Sequence, residues 1–101
     1  MSFGTLLITT NSEPIYVKNK DDINISLIID FVDSMISVAN QFYEDEFFYS
    51  EGACVISCFQ CPGITKIIWV GSEKKDLKKI YERYRIAKIY NDLELLNDIE
   101  C

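Results

Sequence analysis

The chain has 101 residues, 49% of them hydrophobic, and a formal net charge of −6. That length suits one domain with one core, because a chain of this size buries roughly two-thirds of its unfolded surface without cross-links, and apolar segments spread along its whole length exclude intrinsic disorder. The acidic balance disfavours nonspecific nucleic-acid binding, although seven of the ten basic residues lie between Lys74 and Lys88.

At the start of the chain, Met1-Ser2-Phe3-Gly4 leads into the short apolar run Leu6-Leu7-Ile8 without a basic region that would mark a targeting signal. Gly4 to Thr10 reads as a strand and Ile15-Tyr16-Val17 as its partner, with Asn11-Ser12-Glu13-Pro14 supplying the turn of an opening hairpin. From Ser26 to about Tyr43, Leu27, Ile28, Phe31, Val32, Met35, Ile36, Ala39 and Phe42 recur at three- and four-residue steps, which predicts a helix buried along a broad stripe. Asn24 or Ser26 caps it, and Asp30 and Asp33 fall towards its positive end. Asn24-Ile25-Ser26 also matches a glycosylation sequon, but without a secretory signal it reads as capping chemistry. Asp30, Asp33 and Asn40 break the apolar stretches well short of the roughly 20 residues a membrane span needs. The chain is therefore expected in the cytoplasm, with membrane contact at most peripheral.

Phe47 to Tyr49, Ala53 to Phe59 and Thr65 to Val70 follow as three strands, separated by Ser50-Glu51-Gly52 and Cys61-Pro62-Gly63; spacers this short favour an antiparallel meander. Ser72 or Glu73 then opens a second helix, in which Leu77, Ile80, Tyr81, Tyr84, Ala87 and then Leu93 or Leu96 trace the apolar stripe. Lys74, Lys75, Lys78, Lys79, Arg83, Arg85 and Lys88 fill much of the remainder. The order is β-β-α-β-β-β-α. Each helix stripe must be buried against something, which gives an α+β fold, a five-stranded antiparallel sheet flanked by helices.

The chain contains no histidine, which removes Ser-His, Cys-His and His-ligated metal mechanisms together with the commonest general base near neutral pH. Neither a GxxxxGK[ST] nor a GxGxxG phosphate loop occurs. Cys54, Cys58 and Cys61 have the CxxxCxxC spacing with which radical-SAM enzymes hold a 4Fe-4S cluster, so a small metal- or redox-active protein is one reading. On a strand, however, Cys54 and Cys58 lie about 13 Å apart at roughly 3.3 Å per residue, too far to share a metal, and small buried hydrophobes are the plainer reading. A zinc site adding Cys101 has only Cys58-Cys61 at knuckle spacing. Glu44-Asp45-Glu46 reads as a solvated cluster at a helix-to-strand junction. The basic stripe of the second helix, Lys78 and Arg85 included, reads as a solvated face or as a contact for an acidic protein or anionic lipid. Tyr81, Tyr84 and Tyr90 read as packing residues. No cofactor is expected.

Leu6-Leu7-Ile8-Thr9-Thr10-Asn11-Ser12-Glu13-Pro14-Ile15-Tyr16 resembles the start of a longin domain, a hydrophobic strand, a polar turn and a Pro-[Ile/Leu]-Tyr-like second strand. The following helix, the meander ending in Ile67-Ile68-Trp69-Val70-Gly71 and the last helix extend the likeness over nearly the whole chain, as in a short archaeal-type or truncated longin. The related roadblock fold begins on a helix instead. The chain departs from the family in its first turn, where Ser12-Glu13 replaces a frequent glycine. The resemblance implies a non-catalytic interaction module that dimerises with itself or with another longin or roadblock-type domain and serves small GTPases or membrane-trafficking machinery. It also implies that pairing uses the exposed face of the first helix and an open strand edge, with Ser34, Ser37, Asn40 and Gln41 near that helix's less apolar side.

Overall fold

The computed structural model describes residues 4–18, 24–41, 46–61 and 64–98. Five strands, β1 (Gly4–Thr10), β2 (Glu13–Lys18), β3 (Glu46–Glu51), β4 (Cys54–Gln60) and β5 (Thr65–Gly71), form one antiparallel sheet in the order β2-β1-β5-β4-β3. Helices α1 (Ile25–Gln41) and α2 (Leu77–Ile89) cover its two faces, and a 3₁₀ segment (Leu93–Asp98) follows α2. The fold is α+β, and the element order is the expected one.

Strand alternation sorts the core into two layers. Leu6, Ile8, Phe59, Ile67 and Trp69 point to one face and meet Leu77, Ile80, Tyr84 and Ala87 of α2 with Leu96 of the 3₁₀ segment. Leu7, Cys58, Ile68 and Val70 point to the other and meet Ile29, Val32 and Ile36 of α1. Each fully buried Leu or Ile contributes roughly 1.5–3 kcal/mol of burial free energy, so these two stripes fix both helices on the sheet.

Several boundaries differ from expectation for local reasons. The first turn is only Asn11-Ser12, both at positive φ (54° and 61°), as a two-residue hairpin turn demands; Glu13 and Pro14 already belong to β2. Pro14 is tolerated because β2 is an edge strand. Helix α1 is capped by Asn24, whose Oδ1 accepts from Leu27 N–H at 3.0 Å; Phe42, Tyr43, Glu44 and Asp45 lie outside the described residues. Its first turn holds no acidic residue, so Asp30 and Asp33 sit too far along to serve the dipole. Leu27, expected in the stripe, is exposed. Helix α2 starts later than expected, because Asp76 rather than Ser72 or Glu73 is its cap, accepting from Lys79 N–H at 3.3 Å. Lys74 and Lys75 therefore precede the helix. Asn91 at φ 54° breaks the chain after α2, so Leu93 and Leu96 belong to a separate 3₁₀ segment.

Asp33 has a different task from dipole support. Its carboxylate accepts from Lys66 Nζ of β5 at 2.9 Å and from Ser12 Oγ of the first turn at 2.8 Å, tying α1 to the sheet. Burial raises its pKa, but the bonds from Lys66 and Ser12 and the Lys66 charge outweigh this and hold it below the ordinary carboxylate value. A depressed folded-state pKa adds stability that is present above the unfolded value, near 3.9, and is lost as pH falls through the folded value. Lys66→Met is thus expected to cost about 0.5–1 kcal/mol at pH 7, as for a partly exposed pair. Denaturant titrations at pH 7 and pH 3 should find the variant's deficit smaller at pH 3; an equal deficit at both would contradict this role.

Candidate interaction surface

Along α1, Leu27, Phe31, Ser34, Val38 and Gln41 recur at steps of four, three, four and three residues and so form one stripe on the helix's outer side. Leu27 is 64% and Val38 50% exposed, while Ser34 and Gln41 are exposed between and beyond them. Phe31, half-buried, turns to β3 and meets Tyr49 edge-on with ring centroids 5.3 Å apart. The stripe therefore leans towards β3, the strand that closes the sheet on that side.

The two edges of the sheet differ. On β2, Pro14 removes a backbone donor and the ladder shifts register between Ile8 and Thr9. The 3₁₀ segment is also fastened there, Tyr16 Oη donating to Asn97 Oδ1 at 2.6 Å and Lys18 Nζ to the Asn97 carbonyl at 2.7 Å. Strand β3 has no proline and, among the described residues, pairs only with β4, in unbroken register from Glu46 to Glu51. Two large side chains, Phe48 and Tyr49, are exposed on it. An edge of this kind is a template for another strand.

The four residues of α1 singled out from sequence are all exposed, but they divide. Ser34 and Gln41 lie on the β3-leaning stripe. Ser37 and Asn40 lie on the opposite flank, where Ser37 Oγ donates to the Asp33 carbonyl at 3.5 Å and Asn40 Oδ1 accepts from Gln60 Nε2 at 3.1 Å. Lys78 and Arg85 are exposed on α2, across the sheet, and do not join either group. Arg85 pairs with Glu82 at 3.4 Å. The apolar members Leu27, Val38, Phe48 and Tyr49 were not anticipated as surface, and Leu27 was expected in the buried stripe.

The three cysteines do not converge. Cys58 packs in the α1-facing layer, with Cys54 against the margin of the same layer four residues earlier on β4, whereas Cys61, one residue past β4, packs in the α2-facing layer. Cys101, the fourth, lies outside the described residues. Burial pushes the Cys58 thiol up to about 12, with the Lys66 charge opposing, and burial likewise pushes Cys61 up to about 11. Thiolate, the nucleophile and metal ligand, is therefore scarce at both near neutral pH. In native protein at pH 8, iodoacetamide should leave Cys58 and Cys61 unmodified over hours, with both labelled on adding denaturant. Peptide mass mapping reads this directly, and rapid native labelling of Cys58 would contradict its burial.

No helix among the described residues is long and apolar enough to cross a membrane. Comparison of the chain with protein-family models, with curated proteins and with solved structures finds no match in any of the three.

Proposed function

We propose that this chain is a non-catalytic interaction module of longin type, pairing with itself or with another longin or roadblock-type domain and acting as a scaffold for small GTPases or membrane-trafficking machinery. The observation that carries the reading is the adjacency of two uncovered features, the apolar outer stripe of α1 and the open edge of β3, joined by the Phe31–Tyr49 contact. Their sum is a surface that can extend the sheet and bury a helix face in one step, and the opposite edge is blunted against the same use. The hairpin start and the order β-β-α-β-β-β-α support the family resemblance.

Glu46 and Glu51 close the two ends of β3. A centred antiparallel copy sets these carboxylates opposite each other, which weakens pairing in low salt. The expected result in size-exclusion chromatography with light scattering is a dimer at high micromolar concentration, tightened by added salt. Leu27→Asp with Val38→Asp should render it monomeric while leaving the circular dichroism spectrum unchanged. A wild-type monomer at every salt concentration would remove self-pairing, and failure to retain any nucleotide-loaded small GTPase or longin or roadblock-type domain in purified pull-downs would remove the scaffold reading.

A further inference from the structure

On the other face of the sheet a groove of about 400 Å³ opens between β3, β4 and the segment leading into α2, lined in part by Glu46, Phe48, Ser57, Lys74, Lys75 and Asp76. Its origin lies in the cross-strand row Phe48, Ser57, Trp69. The Trp69 ring leans over Gly4, where no Cβ stands in its way, and its Nε1 donates to the Glu73 carbonyl at 2.6 Å. The groove opens beside this row because α2 begins too late to fill it, and Ser57 is closed off at its base. Phe48 consequently remains 53% exposed.

One feature of the groove is costly unless something occupies it, and a second supplies positive charge. Ser57 is only 3% exposed, and its hydroxyl has no hydrogen-bond partner among the described residues. A buried hydroxyl left unmade costs about 1–3 kcal/mol, and alanine would serve the packing without that cost. Above it, Lys74 Nζ lies 3.8 Å from the Phe48 ring centroid and Lys75 Nζ 5.2 Å from that of Trp69, and neither ammonium has a carboxylate partner among the described residues. The Asp76 carboxylate is engaged in capping α2, and Glu46 stands exposed at the start of β3.

We propose that this groove binds a small aromatic monocarboxylate carrying a ring hydroxyl. The carboxylate takes the two ammonium groups, the ring packs against Phe48, and the hydroxyl reaches Ser57 as the flexible lysine side chains swing outward. The volume lies at the small end of ligand sites and suits one ring. Glu46 and Asp76 offset the two lysines, so the lining has no net charge, which disfavours the multiple charges of a phosphate ester; the two ammonium groups themselves hold the single carboxylate. The site lies across the sheet from the α1 stripe and shares Glu46 and Phe48 of β3 with the pairing edge proposed above.

The test is a ¹H–¹⁵N NMR titration of wild type and Ser57→Ala with 4-hydroxyphenylacetate, phenylacetate and 4-hydroxyphenylacetamide. Wild type should give saturable shifts at the amides of Phe48, Ser57, Lys74 and Lys75 with 4-hydroxyphenylacetate. The other two probes should bind about fivefold more weakly or worse, the factor for one lost hydrogen bond or charge contact. Ser57→Ala should melt no lower than wild type and bind 4-hydroxyphenylacetate and phenylacetate equally. The proposal is overturned by absence of saturable shifts at ligand concentrations on the order of 10 mM, by shifts that map elsewhere, by equal binding of all three probes to wild type, or by a lowered melting temperature of Ser57→Ala.

Discussion

Replacing Gly4 by alanine is expected to destabilise the protein by about 3 kcal/mol or more, at the upper end of what overpacking a core costs. A Cβ built on Gly4 falls 1.8 Å from Cη2 of Trp69 and 2.2 Å from its Cζ2, and Trp69 is itself locked by its neighbours and by the bond from Nε1 to Glu73. Neither party can give way: Gly4 pairs with Gly71 in the ladder, and the indole has a core layer beneath it. For a chain of this size the loss corresponds to a drop in melting temperature of roughly 10 °C or more. The cause is specific, so it can be isolated. Trp69→Phe removes the six-membered part of the indole that the new methyl strikes, and in that background Gly4→Ala should cost less than about 1 kcal/mol, a coupling readable from a double-mutant cycle in denaturant. Gly52 gives the contrast. It lies at φ +60° with nothing within 4 Å of its Cβ position, so Gly52→Ala costs only the backbone penalty of about 1–2 kcal/mol, which Trp69→Phe should leave untouched and which asparagine at 52 should partly relieve. Additive behaviour of Gly4→Ala and Trp69→Phe would refute the contact.

The Gly4–Trp69 pair marks where sequence reading stops being sufficient. Periodicity located every strand and both helices, because each buries one face and a buried face imposes its period on the chain. The opposite faces assigned to Cys58 and Cys61 could also be anticipated in part, since alternation along β4 is local. The start of the second helix was harder than that of the first: Lys74 and Lys75 continue the basic composition of α2, and only the geometry of the Asp76 side chain shows that the helix has not yet begun. Leu27 fits the apolar spacing of α1 yet lies on the outer stripe, because a broad stripe does not say which of its margins the sheet reaches. The groove was invisible for a different reason. Ser57 between Ile56 and Cys58 reads as an ordinary strand residue, and its isolation depends on a tryptophan twelve residues later leaning over a glycine at the start of the chain. Such coupling between distant positions leaves no periodic trace. The polar tether of Asp33 to Lys66 and Ser12 is hidden in the same way, its members being 33 and 21 residues apart.

Val32 and Ser34 test whether α1 presents the face on which the functional reading depends. Val32 is fully buried in the layer of Leu7, Ile68 and Val70, so Val32→Asp places a carboxylate in an apolar layer at whose margin Lys66 is already paired with Asp33. A buried charge without a partner costs about 3–5 kcal/mol even after its pKa rises to meet the surroundings. Against a total stability of about 5–15 kcal/mol, that should leave the variant partly or wholly unfolded at neutral pH. Acidification towards pH 5 should restore part of the loss, because the raised folded-state pKa means the neutral carboxyl is the form the core tolerates. Ser34→Asp introduces the same group two residues away, on the exposed stripe, where the Ser34 Oγ donates to the Asp30 carbonyl at 3.1 Å. Its cost to the monomer should stay within about 0.5 kcal/mol, as for a surface substitution. Its effect should fall instead on pairing, since it adds a desolvated charge beside Leu27 and Val38 at the proposed interface. Fluorescence of the single tryptophan, Trp69, during denaturant titration separates the two variants in stability, and light scattering separates them in assembly. If Ser34→Asp unfolded the chain and Val32→Asp did not, α1 would be rotated by half a turn from the orientation described, and the interaction surface would have to be drawn on its other side.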